Sequence, residues 1–318
     1  SVTLTRLHAE NITVRCILPE EEGESKTFIS GIENFVTDIL KPILNPGLPA
    51  VSVTSYPTSE EEYGYHHDSR YPPEHWADNW PTCGGIRQSP INLDIKSCKK
   101  DNAMFQLKFN NFDSNPISTT VTNVGHSVQF SFTFNKNVPT LNRGARRNKY
   151  NFEQLHFHFG QTDEEGSEHT INYKRTALEM HLVFYKSLYK DTTTAANFPD
   201  GLIVIGILFN ASENATHKLF TNYLKDVQHT GQTIIVKNNK GTRLIDFIEK
   251  LDTKFIRYDG SLTTPACSEA VTWYVSTQLR EISYADLEAF RELQGEEGPI
   301  AGNFRPIQPL NGRKCYIH

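Results

Sequence analysis

From Gln154 to Phe159 the sequence alternates polar and apolar residues at every step: Gln154, Leu155, His156, Phe157, His158, Phe159. A period of two belongs to the β-strand, where residues i and i+2 point to one face, so Gln154, His156 and His158 project together while Leu155 and Phe157 point away. A second segment repeats the device, with Glu179, His181 and Val183 sharing a face. If the two strands pair antiparallel, His181 comes across from the other two imidazoles. Three neutral imidazoles leave the fourth tetrahedral position open, which is what a catalytic zinc requires. A single histidine on an apolar strand is ordinarily a hydrogen-bonded core residue, and an H-x-H pair alone means little in a chain with 12 histidines. The third histidine shifts the balance. Gln154 and Glu179 each precede a histidine by two residues on the same face, where they can fix the imidazole tautomers.

At 318 residues the chain can bury a sizeable core. Its net charge of -5 argues against nucleic acid as a partner, and its longest apolar runs are too short for a transmembrane segment. A soluble protein is expected. The chain opens on Ser1 rather than methionine, as a secreted chain does after loss of its signal peptide. Sequons at Asn11, Asn210 and Asn214 are candidate glycosylation sites, the last two in a polar stretch that reads as an exposed loop. The five cysteines, Cys16, Cys83, Cys98, Cys267 and Cys315, contain no C-x-x-C pair, so disulfides are a better use for them than a metal cage. The odd count leaves at least one thiol buried and inert, free, or paired between chains.

Residues 1–62 differ in style from the rest. Val2–Leu7 and Ile12–Leu18 are β-rich, Phe28, Ile32, Phe35, Ile39 and Ile43 recur at helical spacing, and Ala50–Ser55 is a further strand candidate. This β-β-α-β extension is too small to be comfortable alone and is either a terminal decoration or an assembly element, with 56–62 as its linker. Residues 63–318 read as mainly β. Strand candidates are Phe105–Phe109, Thr119–Asn123, Val128–Phe134, Tyr150–Phe159, Ala177–Tyr185, Leu202–Phe209, Thr233–Val236, Phe255–Tyr258 and Val271–Ser276. Helical periodicity is confined to Ala215–Val227, Thr242–Lys250 and Tyr284–Leu293.

Around the histidines, Gln154–Gly160, Gly166–Thr170, Glu179–Val183, Tyr258–Pro265 and Val271–Trp273 occur in order, with Gln88–Ile91, Asn123–His126 and Asn303–Leu310 on either side. This set closely resembles the α-class carbonic anhydrases from about Tyr63 to Leu310. The resemblance implies a mainly β (α+β) fold: a large twisted, mainly antiparallel central sheet with peripheral helices, and zinc at the bottom of a conical cleft. It implies His156, His158 and His181 as zinc ligands. Gln154, Glu179 and the backbone carbonyl of Asn303 match the acceptors behind them. Thr263 matches the hydroxyl that orients zinc-bound hydroxide, and Glu168 the carboxylate that takes the Thr263 proton. Val183, Val204, Leu262 and Trp273 match the apolar wall for carbon dioxide, and His126 the proton shuttle, with an ordinary pKa near 6.5. Tyr65, Asn123 and Thr264 match positions that organise the intervening water, while Val124 stands where asparagine is frequent. Phe159 and Ile256 replace residues that are usually larger aromatics.

The activity so implied is zinc-dependent reversible hydration of carbon dioxide to bicarbonate and a proton. A catalytically weak or silent extracellular structural, storage or binding protein on the same scaffold is the alternative, disfavoured because all three zinc histidines are present. The resemblance also pairs Cys83 with Cys267, as in secreted members, which with the sequons points to an extracellular protein. Cys98 and Cys315 are then the next candidate pair. That leaves Cys16, in the extension, to bridge subunits, so a homo-oligomer built through the extension or this cysteine is a further expectation.

Overall fold

The computed structural model describes residues 63–101, 107–144, 148–215, 221–237, 243–248, 254–296 and 298–317. The expected extension over residues 1–62, with Asn11 and Cys16, lies outside them. In chain order the strands begin with β1 (Asn92–Leu93), β2 (Lys99–Lys100), β3 (Leu107–Asn110), β4 (Ser118–Asn123), β5 (Val128–Thr133) and β6 (Thr140–Arg143). Then come β7 (Lys149–Phe159), β8 (Thr170–Ile171), β9 (Leu178–Lys186), β10 (Leu202–Ala211), β11 (Thr233–Lys237) and β12 (Phe255–Gly260). The last are β13 (Val271–Ser276), β14 (Arg280–Ile282), β15 (Gln294–Gly295), β16 (Gly298–Pro299) and β17 (Tyr316–Ile317).

Thirteen strands among the described residues form one sheet, ordered β11-β4-β5-β7-β9-β10-β13-β12-β17-β2, with β14 beside β10 and β3 joined through β6 to β7. Most pairs are antiparallel, but β10 runs parallel to β13 and β14, and β17 parallel to β2, so the sheet is mixed. Its centre explains the sequence pattern there. Strands β9 and β10 are buried along nearly their whole lengths, so they read as continuous apolar runs, whereas β4 and the edge strand β11 alternate. One face carries the larger core, with Leu155, Phe157, Leu182, Ile203, Ile205 and Tyr274. The other carries Val183, Leu202, Val204, Tyr258, Trp273 and Val275.

Each long strand candidate has its counterpart within a residue or two, except that the start of Phe105–Phe109 lies outside the described residues. Apart from β3, the short strands were not legible beforehand, because two to four residues are too few to display a period. The helical candidates have counterparts at Thr221–Leu224, Leu244–Phe247 and Tyr284–Arg291, with residues 216–220 and 249–250 lying outside the described residues. The last is the best formed. Ser283 caps it, its Oγ accepting from Asp286 N at 3.1 Å, and its buried Leu287 and Phe290 join the larger core. Phe290 sits 4.9 Å from the Phe157 ring and 5.6 Å from that of Phe159, so the helix braces β7 from behind.

The alternation along β7 is interrupted once. Phe152 pairs with Phe184 and Gln154 with Val183, so Glu153 is the extra residue of a β-bulge. Tyr150 and Phe152 thereby share the larger core with Leu155 and Phe157, although Leu155 stands three positions after Phe152, an offset that in a regular strand would put the two on opposite faces. Without the bulge, a side of β7 that buries Phe152 would also have to bury Gln154 and His156 in that apolar core.

Candidate metal centre

Across β7 and β9 the register sets His156 opposite His181, His158 opposite Glu179 and Gln154 opposite Val183. The three imidazole rings lie 5.2, 5.2 and 4.5 Å apart between centroids, with one nitrogen from each within 4.8 Å of the others. Their tautomers follow from the acceptors behind them. His156 Nδ1 is 2.9 Å from Gln154 Oε1, His158 Nδ1 is 2.7 Å from the Asn303 carbonyl, and His181 Nε2 is 2.8 Å from Glu179 Oε1. A carbonyl or carboxylate oxygen can only accept, so each of those nitrogens carries the proton. The lone pairs left for a cation are Nε2 of His156, Nε2 of His158 and Nδ1 of His181.

A cation suits these residues. His158 Nε2 is buried with no hydrogen-bond partner, a cost that an imidazole nitrogen facing other imidazoles recovers only by binding something. Burial, reinforced by neighbouring histidines, drives His156 well below its ordinary pKa, and burial brings His158 down to about 4. The rings are thus held neutral, as metal ligation requires. Three imidazole nitrogens and no thiolate match zinc among the common divalent ions.

Behind the ligands stands a network that the spacing of the histidines did not disclose. Glu179 Oε1 is shared between His181 and His169, whose Nδ1 lies 2.7 Å away, and Glu179 Oε2 accepts from His169 N at 2.8 Å. Although burial alone would raise Glu179, these two histidines hold it well below the usual carboxylate range. His169 Nε2 continues to the Tyr258 hydroxyl at 2.6 Å, which lies 2.8 Å from Ser89 Oγ. His169, Glu179 and His181 also form a compact trio of potential ligands, but their facing atoms are spent on one another. The clue in the sequence was His169 itself, a histidine within the matched Gly166–Thr170 segment to which no role was assigned.

Gly206 of β10 lies beside His181, and a Cβ there would stand 2.9 Å from Glu179 Oε1. A glycine inside an otherwise apolar strand therefore makes room for the carboxylate. Asn303 does more than expose its carbonyl: its side-chain amide donates to the carbonyls of His126 and Phe157, both at 2.8 Å, and accepts from Phe159 N at 2.7 Å. Arg305 is another addition. Its buried guanidinium donates to Gln88 Oε1, Ser89 O and Cys83 O, and its backbone N–H donates to Glu168 Oε1 at 2.8 Å.

Glu168 is fully buried, its Oε2 3.5 Å from His158 Nε2 and 4.0 Å from His181 Nδ1. Burial raises its pKa to about 7, while the His181 charge, the Thr263 side chain and Arg305 N act in the opposite direction. Val183, Val204 and Trp273 lie side by side on β9, β10 and β13, with Leu262 packed against them. His126 follows a turn closed by Asn123, whose Oδ1 accepts from Gly125 N at 2.9 Å and whose amide donates to Gln228 O and Gln294 O. Asn123 thus ties three backbone groups around the turn. Gly125 takes φ 88°, which a side chain would resist. The His126 ring rests 4.8 Å from that of Tyr63, and burial followed by the charge of His158 lowers its pKa to about 4, below the ordinary value expected of a shuttle. Tyr65 buries its hydroxyl near the same group, its ring centroid 5.8 Å from that of Tyr63, and Thr264 is half-buried.

Cys83 is bonded to Cys267 and Cys98 to Cys315. Asn214 lies in an exposed turn, but Asn210 is an exposed residue of β10 rather than of a loop. No helix among the described residues is long and apolar enough to cross a membrane.

A family model described as eukaryotic-type carbonic anhydrase matches residues 71–318. The chain is 32% identical over 247 residues to carbonic anhydrase 6 of Bos taurus, covering 76% of this chain and 75% of that protein. It is 32% identical over 259 residues to carbonic anhydrase 15 of Mus musculus, covering 78% and 80%. With carbonic anhydrase 6 of Canis lupus familiaris the identity is 34% over 248 residues, covering 75% of each.

Proposed function

The chain belongs to the eukaryotic-type carbonic anhydrase family, and we propose that it hydrates carbon dioxide reversibly with a zinc ion held by His156 Nε2, His158 Nε2 and His181 Nδ1. The observation that carries this reading is the set of three inward nitrogens whose opposite ring nitrogens are each spent on an acceptor. Zinc bound there supplies a Lewis acid that, as is established for carbonic anhydrase itself, lowers the pKa of a coordinated water to about 7.

The remaining work falls to this chain's own groups. A cation beside His158 and His181 favours ionised Glu168, which can then only accept a proton in its hydrogen bonds. The Thr263 hydroxyl donates to it, so Thr263 Oγ1 is left as an acceptor facing the centre and holds a water there in one orientation. Val183, Val204, Leu262 and Trp273 provide a dry wall on which carbon dioxide rests beside that water. Thr263→Val should lower kcat/KM by two orders of magnitude or so while leaving zinc content at one per chain, since an orienting hydrogen bond and not a ligand is removed.

His126 carries the proton outward in this scheme, past Tyr65 and Thr264. With its ring against Tyr63, burial lowers the pKa of His126 to about 4, so the ring takes up a proton more readily once it turns toward water. His126→Ala should slow stopped-flow hydration in dilute buffer, with recovery on adding imidazole; turnover indifferent to both would remove His126 from the role. The decisive measurement for the whole reading is hydration of carbon dioxide with zinc content measured on the same sample. Stoichiometric zinc without sulfonamide-sensitive hydration would leave a silent scaffold instead.

Two bridges between distant cysteines fit an oxidising compartment, and the reading extends to a secreted protein glycosylated at exposed Asn210 and Asn214. Residues 63–318 are taken as the catalytic domain and 1–62 as an extension to it, in line with a family match that starts at residue 71. The two bridges use four of the five cysteines. Cys16 is the one left for an intersubunit bond, which mass measured with and without reductant would reveal.

A further inference from the structure

At the far end of β7 and β9 from the histidines, a hollow of about 470 Å³ is lined by Asn111, Asn137, Val138, Lys149, Asn151 and Tyr185. Asn151 and Tyr185 are register partners across the two strands. Lys149 and Asn151 stand two apart on β7 and so share a face. The remaining wall is made of the turns that carry Asn111 and Asn137. Asn111 and Asn137 both take left-handed conformations, with φ of 61° and 57°, and Asn111 Nδ2 ties the turns together by donating to Val138 O at 3.3 Å.

Its chemistry is specific. Among the described residues, no side-chain hydrogen bond or ion pair joins Asn137, Lys149, Asn151 or Tyr185 to another protein group, so their polar atoms remain available to a ligand. The Asn137 and Asn151 amides each offer two donors and an acceptor oxygen, the complement of neighbouring hydroxyls on a sugar ring. Tyr185 and Val138, the latter 39% exposed, add apolar surface for the C–H face of such a ring. Lys149 is the one charged residue of the lining, which selects an anionic group. The volume exceeds what bicarbonate or phosphate would fill and falls within the range of small-ligand pockets.

We infer that this hollow is a binding site for an acidic saccharide, one or two rings bearing a carboxylate or sulfate at Lys149 and hydroxyls at Asn137 and Asn151. The site is separate from the metal centre and does not depend on its activity. Isothermal titration of the full-length zinc-loaded protein with digalacturonate, a sulfated heparin disaccharide and neutral galactobiose tests it. Saturable binding of at least one anionic probe, at least tenfold tighter than galactobiose, is expected. Lys149→Met should weaken the anionic probe tenfold or more. Asn137→Gly, which keeps the left-handed turn while removing the amide, and Asn151→Leu should weaken it severalfold. Thermal melting and carbon dioxide hydration should match the parent in all three, which separates loss of the site from loss of the fold. Absence of saturable binding by both anionic probes, equal binding of galactobiose, or binding untouched by Lys149→Met and Asn151→Leu would overturn the assignment.

Discussion

The three candidate ligand histidines are set less by their own identity than by the atoms that hold their rings. Gln154, Glu179 and the Asn303 carbonyl each immobilise one imidazole in the tautomer that turns a lone pair inward. Gln154→Leu should weaken zinc binding by about 10- to 100-fold in a chelator competition, with the metal still bound at high concentration, because it removes support and no ligand. Gly206→Ala makes the same point from behind the sheet. An added methyl 2.9 Å from Glu179 Oε1 has to displace that carboxylate from both His181 and His169. Zinc affinity should fall by a similar factor, and unchanged affinity would mean that the strand gives way instead. The alternation of Gln154, His156 and His158 made the ligand face legible because the strand period is local. His169, Gly206 and Arg305 were not legible as site residues, since their partners are supplied by segments distant in sequence.

Among elements, β7 depends most on what packs behind it. Its inward residues Phe157 and Phe159 lean on Phe290 of the Tyr284–Arg291 helix, so the ligand strand is braced by a helix that contributes nothing to the site directly. Phe290→Ala should cost about 3–5 kcal/mol in urea unfolding, as fully buried aromatic truncations do, while the remaining folded protein still takes up zinc. Removing the cap with Ser283→Ala should cost about 1 kcal/mol by the same measurement. The helix could be read from its periodicity and the long strands from theirs. The bulge at Glu153 could not, since it arises from the fit of β7 against β9. Its consequence is large: it lets one strand place Phe152 in the apolar core and Gln154 with the histidines on the opposite face.

For the whole molecule, acid should act through the buried imidazoles before it disturbs the apolar core. In the zinc-free protein His158 is held near 4 against an ordinary 6.5, so between those values the unfolded chain binds the extra proton and the folded one does not. Stability is then fully present above pH 6.5 and declines as pH falls toward 4, by up to about 3 kcal/mol for this group. Unfolding midpoints in denaturant across pH 4 to 8, with and without zinc, check this. Zinc should raise the midpoint at neutral pH and lose its effect in acid, as the ligands must be neutral to bind it. A flat profile in the zinc-free protein would show that these rings are more solvated than their burial indicates.

By itself the sequence determined the long strands, the pair of ligand-bearing segments and the family, because alternation and matched motifs are properties of neighbouring residues. It also held the sequons and the cysteines that pair in two bridges. Only the tertiary structure decided which nitrogen of each histidine faces inward, that Asn123 serves the backbone, that the His126 ring lies in an environment lowering its pKa to about 4, and that Asn111, Asn137, Lys149 and Asn151 meet around one hollow. Tautomers, burial and convergence depend on partners brought together by folding from segments far apart in the chain, and no local period records them.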